Sequence, residues 1–354
     1  MGPFYHDEVH PEKSGLFLYL NMGKRGITLN LKSPMGKEVF LELVKGVDIV
    51  VESFRPGVMA SFGLSYEVLQ RTNPDLVMGS ISNFGQTGSY HDFKASPLIL
   101  YGMGSQMHSA GLPEREPVKD GETLCLYQAG VGAAVGILGA FLGQVFQGVG
   151  QYVDISLQEM LTAPFPDRKS TILIAYQYRG DEQPRLWETG YPGGTYPCAD
   201  GYFTIYGGRG YWNRMVKMLG EPEFLKDQKW TTSTAQSDPV LQAEFLSFWL
   251  DWTMQRTKAE VTEIAQANRV PLAGILDIAE VATHSHYNQR GFFMESEHPI
   301  VGKLKYPGRP FVMEESPFQI DRPAPLLGQH NEEIYGELGF SKEDLVHLRV
   351  QKVI

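Results

Sequence analysis

The chain has few cysteines and no excess of positive charge, and each shortage excludes a class of protein. Its only two cysteines, Cys125 and Cys198, lie far apart and form no CxxC pair, so neither a disulfide framework nor a zinc site is expected. The 31 Lys and Arg residues are outnumbered by 41 Asp and Glu residues, which gives a net charge of −10. Such a chain repels a phosphate backbone, so nucleic-acid binding is not expected.

The common catalytic signatures are missing as well. The chain contains no GxSxG, no HExxH and no GxxxxGK[ST], and no GxGxxG opens a helix. His284 and His286 lie in a polar segment, where we expect a solvated helix end and no metal. These absences disfavour serine hydrolases, zinc proteases and nucleoside triphosphatases.

Signals for export or membrane insertion are not found either. The first residues carry mixed charges without an apolar core, which argues against a signal or transit peptide. The longest low-charge stretch, residues 129–147, is interrupted by glycines, among them Gly132, Gly136, Gly139 and Gly143, and lacks the roughly 20 strongly apolar residues of a bilayer span. We expect a cytoplasmic protein with no membrane contact, in which this stretch forms a fully buried helix.

The order of local signals predicts an α/β fold. Ser33 and Pro34 have the character of a helix N-cap and first residue, and short apolar strands are predicted at 47–51 and 76–81. Helices that alternate with such strands indicate a parallel sheet covered on both faces. The loop 82–93 leaves the carboxyl end of a predicted strand, where ligands usually bind in such folds.

Composition and length together predict two domains. A chain of 354 residues exceeds what one core usually organises. After about Tyr178 the chain becomes polar and rich in glycine and proline, as linkers are. A second unit follows, in which Thr257 and Glu260 have the spacing of a capping box.

Lys24 and Arg25 lie next to a glycine in an otherwise acidic chain. Two such cations beside backbone N–H groups could hold a phosphate, or they could be a solvated surface pair. On spacing alone the surface pair is favoured.

Several motifs follow one another along the chain in a specific order: NMGKRGITLNLKSPMGKE, VDIVVESFRPGVMASFGLSYEVL, NPDLVMGSISNFGQTGSY, GILGAF with GVGQYVDISLQEM, and APLLGQHNEEIYGELGF. In this order they closely resemble the motifs of the family III CoA-transferases, a family that also contains the α-methylacyl-CoA racemases. The resemblance runs from about Gly2 to the C-terminus, and the ordered set is far more specific than any one motif.

The resemblance implies a fold and a ligand. It implies a Rossmann-like large domain built from both chain ends, residues 1–185 and 301–354, with a smaller α+β domain inserted at 190–300, and two subunits interlocked as an obligate dimer. It also implies coenzyme A as part of the substrate and no metal. The residues that it places around the CoA are Asn21, Lys24, Arg25, Ser53, Phe54, Arg55 and Lys94.

The chain departs from the family pattern at two places. It begins after the strand, helix and strand that open other members, so we expect the first strands of the sheet to be missing. Leu126 stands where the family has its nucleophilic aspartate, and leucine cannot attack a thioester. Asp120 and Glu122 are nearby carboxylates, of which Glu122 is a weak candidate for the catalytic role. Ser96 and Pro97 replace the histidine and aspartate of the racemases, which disfavours racemisation.

Two functions therefore stay open at this point. The first is a CoA-transferase that moves CoA between an acyl-CoA thioester and an organic acid. The alternative is a non-catalytic, CoA-binding scaffold subunit that pairs with an aspartate-bearing paralogue. The partner subunit would be a second copy in the first case and the paralogue in the second.

Overall fold

A computed structural model describes most of the chain, and it divides the chain into two compact units. The first unit comprises residues 1–186 and 294–354, and the second comprises residues 187–293. The described residues are 2–108, 110, 111, 114–121, 123–162, 174, 176–178, 180, 192–207, 209–232, 234, 235 and 238–354.

The first unit is built around a parallel sheet, as the alternating signals predicted. Its strands are β1 (Ile49–Glu52), β2 (Val77–Ser82) and β3 (Tyr152–Ser156). Strand β2 lies between the other two, and both pairings are parallel. The predicted α/β class is therefore confirmed. All three carboxyl ends lie at one edge of the sheet, which matters for the site described below.

Helices cover both faces of this sheet. Helix α2 begins at Pro34, and the Ser33 hydroxyl oxygen accepts a hydrogen bond from the Gly36 N–H at 2.9 Å, as the N-cap prediction required. Helix α6 (Leu124–Gln147) packs on one face, and the core around Leu69, Leu76 and Met78 covers the other. The helices of this part of the chain are α1 (Gly15–Leu20), α2 (Pro34–Val44), α3 (Val58–Ser61), α4 (Tyr66–Thr72), α5 (Pro97–Met103), α6 (Leu124–Gln147) and α7 (Leu157–Thr162).

Helix α6 was predicted to be fully buried, and that prediction is wrong. Its buried residues Ala133, Ile137 and Ala140 pack against the sheet. The opposite side exposes an apolar stripe: Val131, Val135, Leu138, Leu142 and Val145. Within the described residues α6 alone is long and apolar enough to cross a membrane, with a mean hydropathy of 1.8, a test that core helices also pass.

The second unit has an antiparallel sheet and an aromatic core. Its strands are β4 (Gly194–Cys198), β5 (Gly201–Ile205) and β6 (Leu272–Gly274), in that order. Trp249 and Phe245 stack with their ring centres 5.6 Å apart, and both are fully buried. The predicted capping box of Thr257 and Glu260 is present. The helices are α8 (Trp212–Met218), α9 (Pro239–Met254), α10 (Lys258–Ala267), α11 (Ile278–Thr283) and α12 (Ser285–Gln289).

The C-terminal segment rejoins the first unit. It contains the paired strands β7 (Phe293–His298) and β8 (Gly302–Pro307), then α13 (Asn331–Glu337) and α14 (Lys342–Val350). The Tyr335 hydroxyl donates a hydrogen bond to the Thr28 carbonyl at 2.6 Å, and burial raises the pKa of Tyr335 to about 12. The two ends of the chain are thereby joined in one core.

Gly79 in β2 lets α6 approach the sheet closely. A Cβ atom at this position would lie 2.3 Å from Cδ1 of Ile137, which real contacts do not allow. We expect Gly79→Ala to lower the free energy of unfolding by about 1–3 kcal/mol, because the added methyl overpacks the interface. Gly139→Ala is the matched control, since its Cβ meets nothing within 4 Å and should instead stabilise the helix by about 0.5–1 kcal/mol. Urea unfolding of both variants would decide, and equal effects would contradict this packing.

Candidate functional site

A cleft of about 760 Å³ opens in the first unit at the carboxyl edge of the parallel sheet. Ser53 directly follows β1, Asn83 directly follows β2 and Leu157 directly follows β3, and all three line the cleft. Ligands bind at this edge in open parallel sheets, because the loops that leave neighbouring strands converge there. The cleft is therefore the first candidate for the functional site.

Two cations border the cleft, and neither forms an ion pair within the described residues. Arg55 and Lys94 are exposed, and neither side chain forms an ion pair or hydrogen bond with another residue in the part of the chain that the structure describes. Unpaired guanidinium and ammonium groups are available to phosphate or carboxylate oxygens. The first turn of α6 lies at the same cleft through Leu126, and the partial positive charge of a helix N-terminus adds to theirs.

Exposed aromatic rings line the same cleft as these charges. Phe54 is 45% exposed and packs edge-on against Phe62, with ring centres 6.3 Å apart. Phe93 is 53% exposed and stacks on Tyr90 at 4.5 Å. Both Phe54 and Phe93 line the cleft and have ring surface available for an apolar or π-stacking ligand.

A histidine and an aspartate in the loop after β2 face each other at the cleft. Nε2 of His91 lies 3.0 Å from Oδ2 of Asp92, and Nδ1 of His91 lies 2.8 Å from the Gly88 carbonyl oxygen. Asp92 is the one carboxylate among the described residues that line the cleft. The sequence predicts a ligand site in this loop but does not point to these two residues, since an adjacent histidine and aspartate have no distinctive spacing.

The structure brings five of the residues named from the resemblance into this cleft. They are Ser53, Phe54, Arg55, Lys94 and Leu126. Asn21, Lys24 and Arg25 are not among its lining residues. The Asn21 amide donates to the Phe17 carbonyl at 3.1 Å, and the Lys24 ammonium donates to the Leu20 carbonyl. Partial burial lowers the pKa of Lys24.

Arg25 is already paired with carboxylates. Its guanidinium lies 2.6 Å from Glu337 and 2.9 Å from Glu333, both on α13. These hydrogen bonds, first that to Glu337, raise the pKa of Arg25, and the bond to Arg25 lowers the pKa of Glu333. A phosphate at Arg25 would have to compete with two carboxylates. That Arg25 binds a phosphate of CoA stays a prediction.

Leu126 occupies the first turn of α6, where it is 38% exposed. The preceding residue, Cys125, donates its backbone N–H to the Tyr101 hydroxyl at 2.9 Å, which fixes the start of the helix. Asp120 is exposed and is not among the lining residues, and Glu122 lies outside the described residues. The carboxylate of Asp154 accepts a hydrogen bond from the Gln86 N–H at 3.0 Å and thereby holds the loop after β2.

Residues 2–331 match the family model described as CoA-transferase family III. The chain belongs to this family. It is 32% identical over 355 residues to a formyl-CoA:oxalate CoA-transferase of Streptomyces coelicolor, and the alignment covers 96% of this chain and 86% of that enzyme. It is 30% identical over 364 residues to the subunit BbsE of the succinyl-CoA:(R)-benzylsuccinate CoA-transferase of Thauera aromatica, with 98% and 86% covered.

A solved relative supports the same assignment to family III. The chain superimposes on the crystal structure of a CAIB/BAIF family protein from Brucella suis with a TM-score of 0.82 at 27% identity, covering 96% of this chain and 87% of the other. The prediction of a CoA-transferase is therefore confirmed. A family III enzyme uses CoA thioesters as substrates and moves CoA between an acyl-CoA and an organic acid.

Proposed function

We propose that the cleft at the carboxyl edge of the sheet binds the acyl-CoA and the organic acid between which this enzyme moves CoA. The observation that carries the proposal is the placement of two unpaired cations, Arg55 and Lys94, in one cleft with the exposed rings of Phe54 and Phe93. CoA presents phosphates and an adenine base, and cations with aromatic faces are what such a ligand requires.

Local positive charge is needed here because the whole chain is acidic. A net charge of −10 repels both an acyl-CoA and a carboxylate substrate. Arg55 and Lys94 reverse that sign within the cleft, and the N-terminal end of α6 adds to them. The same cations can hold the carboxylate of the acid close to the thioester, which lowers the entropic cost of their reaction.

A transfer assay tests the proposed function. The purified chain would be incubated with formyl-CoA and oxalate, and separately with succinyl-CoA and (R)-benzylsuccinate, the substrates named for the two relatives. We expect a CoA thioester of the acceptor acid, detected by mass spectrometry, with at least one pair drawn from these and related dicarboxylic acids. No transfer together with no acyl-CoA binding would contradict the proposal.

A second candidate is a scaffold subunit of a heteromeric CoA-transferase. Leu126 lines the cleft where the family resemblance places an aspartate, and one relative is itself named as a subunit, which favours this alternative. Under it, the chain would bind acyl-CoA but transfer CoA only after mixing with an aspartate-bearing paralogue. The alternative would be rejected if the isolated chain transferred CoA as fast as it does after mixing with such a paralogue. That result would favour a complete enzyme, either as a homodimer or without a partner.

A further inference from the structure

We propose that Asp92 is the nucleophile that takes over the covalent chemistry which Leu126 cannot perform. This inference rests on the proposed function of the cleft. Covalent transfer without an aspartate at position 126 needs another carboxylate within reach of the thioester. Asp92 is the one carboxylate that the described residues contribute to the lining of the cleft, and it shares that lining with Leu126, Arg55 and Lys94.

The local geometry presents Asp92 for attack. Its side chain is 76% exposed, so a thioester in the cleft can reach it without a rearrangement of the protein. Only Oδ2 faces the His91 ring, at 3.0 Å, and no described residue is recorded as a hydrogen-bond partner of Oδ1. His91 is itself oriented by the Gly88 carbonyl, 2.8 Å from Nδ1. His91 therefore acts as a positioning residue that fixes one carboxylate oxygen and leaves the other to react.

A carboxylate at this position can carry the transfer without any external reagent. An Asp92 oxygen forms a bond to the thioester carbonyl carbon, and the C–S bond breaks with its electron pair on sulfur, which gives an acyl-aspartyl anhydride and the CoA thiolate. The thiolate then attacks the aspartyl carbonyl carbon of that anhydride. The donor acid leaves as a carboxylate, and Asp92 is left as a CoA thioester.

The second half runs the same steps in reverse with the acceptor acid. Its carboxylate attacks the Asp92 thioester and expels the thiolate, and the thiolate then attacks the acceptor carbonyl carbon of the new anhydride. The acceptor leaves as its CoA thioester and Asp92 is again a carboxylate, so no net proton or electron is consumed. Lys94, two residues further along the loop, and Arg55 line the same cleft, and cations stabilise anionic oxygens and a thiolate of this kind.

Trapping with acyl-CoA tests the assignment on the unmodified chain. The protein is mixed with succinyl-CoA without acceptor, treated with hydroxylamine or borohydride, and digested with trypsin. Cleavage after Arg71 and Lys94 releases the peptide 72–94, which holds only two carboxylates, Asp75 and Asp92. We expect a hydroxamate or an alcohol on Asp92 alone. Absence of an adduct, or an adduct on another residue such as Glu122, overturns the inference.

Substitution separates chemistry from binding. Asp92→Asn should lose the adduct and lower the transfer rate at least about 10³-fold, while the acyl-CoA dissociation constant stays within about threefold of wild type. Asp75→Asn is the matched control and should leave both unchanged. Asp92→Glu keeps a carboxylate and should form part of the wild-type adduct. This variant tests the role of Asp92 even when Asp92→Asn folds poorly. Transfer without any adduct would sink the role of Asp92 but not the proposed function, whereas loss of both transfer and acyl-CoA binding in the wild type would sink both.

Discussion

The double variant Arg55→Ala/Lys94→Ala is expected to bind acyl-CoA about 10²- to 10³-fold more weakly than the wild type. Each cation should contribute about 1.5–2 kcal/mol, the low end for hydrogen bonds to charged groups, since both are exposed in the free protein. Neither cation has a described partner whose loss would disturb the fold. The substitution should therefore lower affinity without lowering the free energy of unfolding.

Calorimetric titration at two salt concentrations measures this effect. The wild-type affinity should fall as salt rises, and the double variant should respond less, because charge-assisted contacts are screened. Lys45→Ala/Arg71→Ala is the matched control, since it removes one lysine and one arginine from exposed positions outside the cleft. The acyl-CoA affinity of a Lys24→Ala/Arg25→Ala variant, compared with that of the wild type, tests whether Lys24 and Arg25 hold a CoA phosphate. If the cleft variant and the matched control bind equally well, the anion binds elsewhere.

Trp249→Ala is expected to lower the free energy of unfolding of the second unit by about 3–5 kcal/mol. Trp249 is fully buried, stacks on Phe245 and meets Phe203 edge-on with ring centres 5.7 Å apart. Truncation leaves a cavity that the surrounding rings cannot close. Trp249→Phe should cost much less, because it keeps a ring and removes an indole N–H that has no hydrogen-bond partner in the described part of the chain.

Urea unfolding followed by circular dichroism would measure these stabilities. The two units need not unfold together, so a biphasic curve is expected in which Trp249→Ala moves only one transition. Tyr202→Ala provides the control, because this side chain is exposed on β5 and its loss should change stability by less than about 0.5 kcal/mol. An equal effect of Tyr202→Ala and Trp249→Ala would contradict the described core.

The elements that could be predicted are those with local signals. The start of α2 at Ser33 and Pro34 and the capping box of Thr257 and Glu260 depend on residues within one helical turn, and both are present. Strands β1 and β2 follow from apolar runs of strand length, and β2 is buried along almost its whole length, whereas Val51 of β1 is exposed. The exposed side of helix α6 could not be predicted in this way, because residues 129–147 are small or apolar apart from Gln144 and Gln147 and so form no polar face that would mark it.

The candidate site depends more on contacts between distant segments. Arg25 pairs with Glu333 and Glu337, more than 300 residues away, and no local pattern announces that partnership. Asp92 becomes a candidate nucleophile only because its loop shares a cleft with Leu126 at the start of α6. The family resemblance implies Ser53, Phe54, Arg55 and Lys94 as site residues, whereas no sequence motif marks His91 and Asp92.

Hydrogen–deuterium exchange with and without acyl-CoA tests the central claim, that the substrate binds in the cleft at the carboxyl edge of the parallel sheet. The account predicts slower exchange at residues 53–58 and 82–95, which line the cleft or form its loop, when succinyl-CoA is present at saturating concentration. Exchange in α9 of the second unit, residues 239–254, serves as the internal reference. Unchanged exchange in both cleft segments, with slowing confined to other parts of the chain, would contradict the claim.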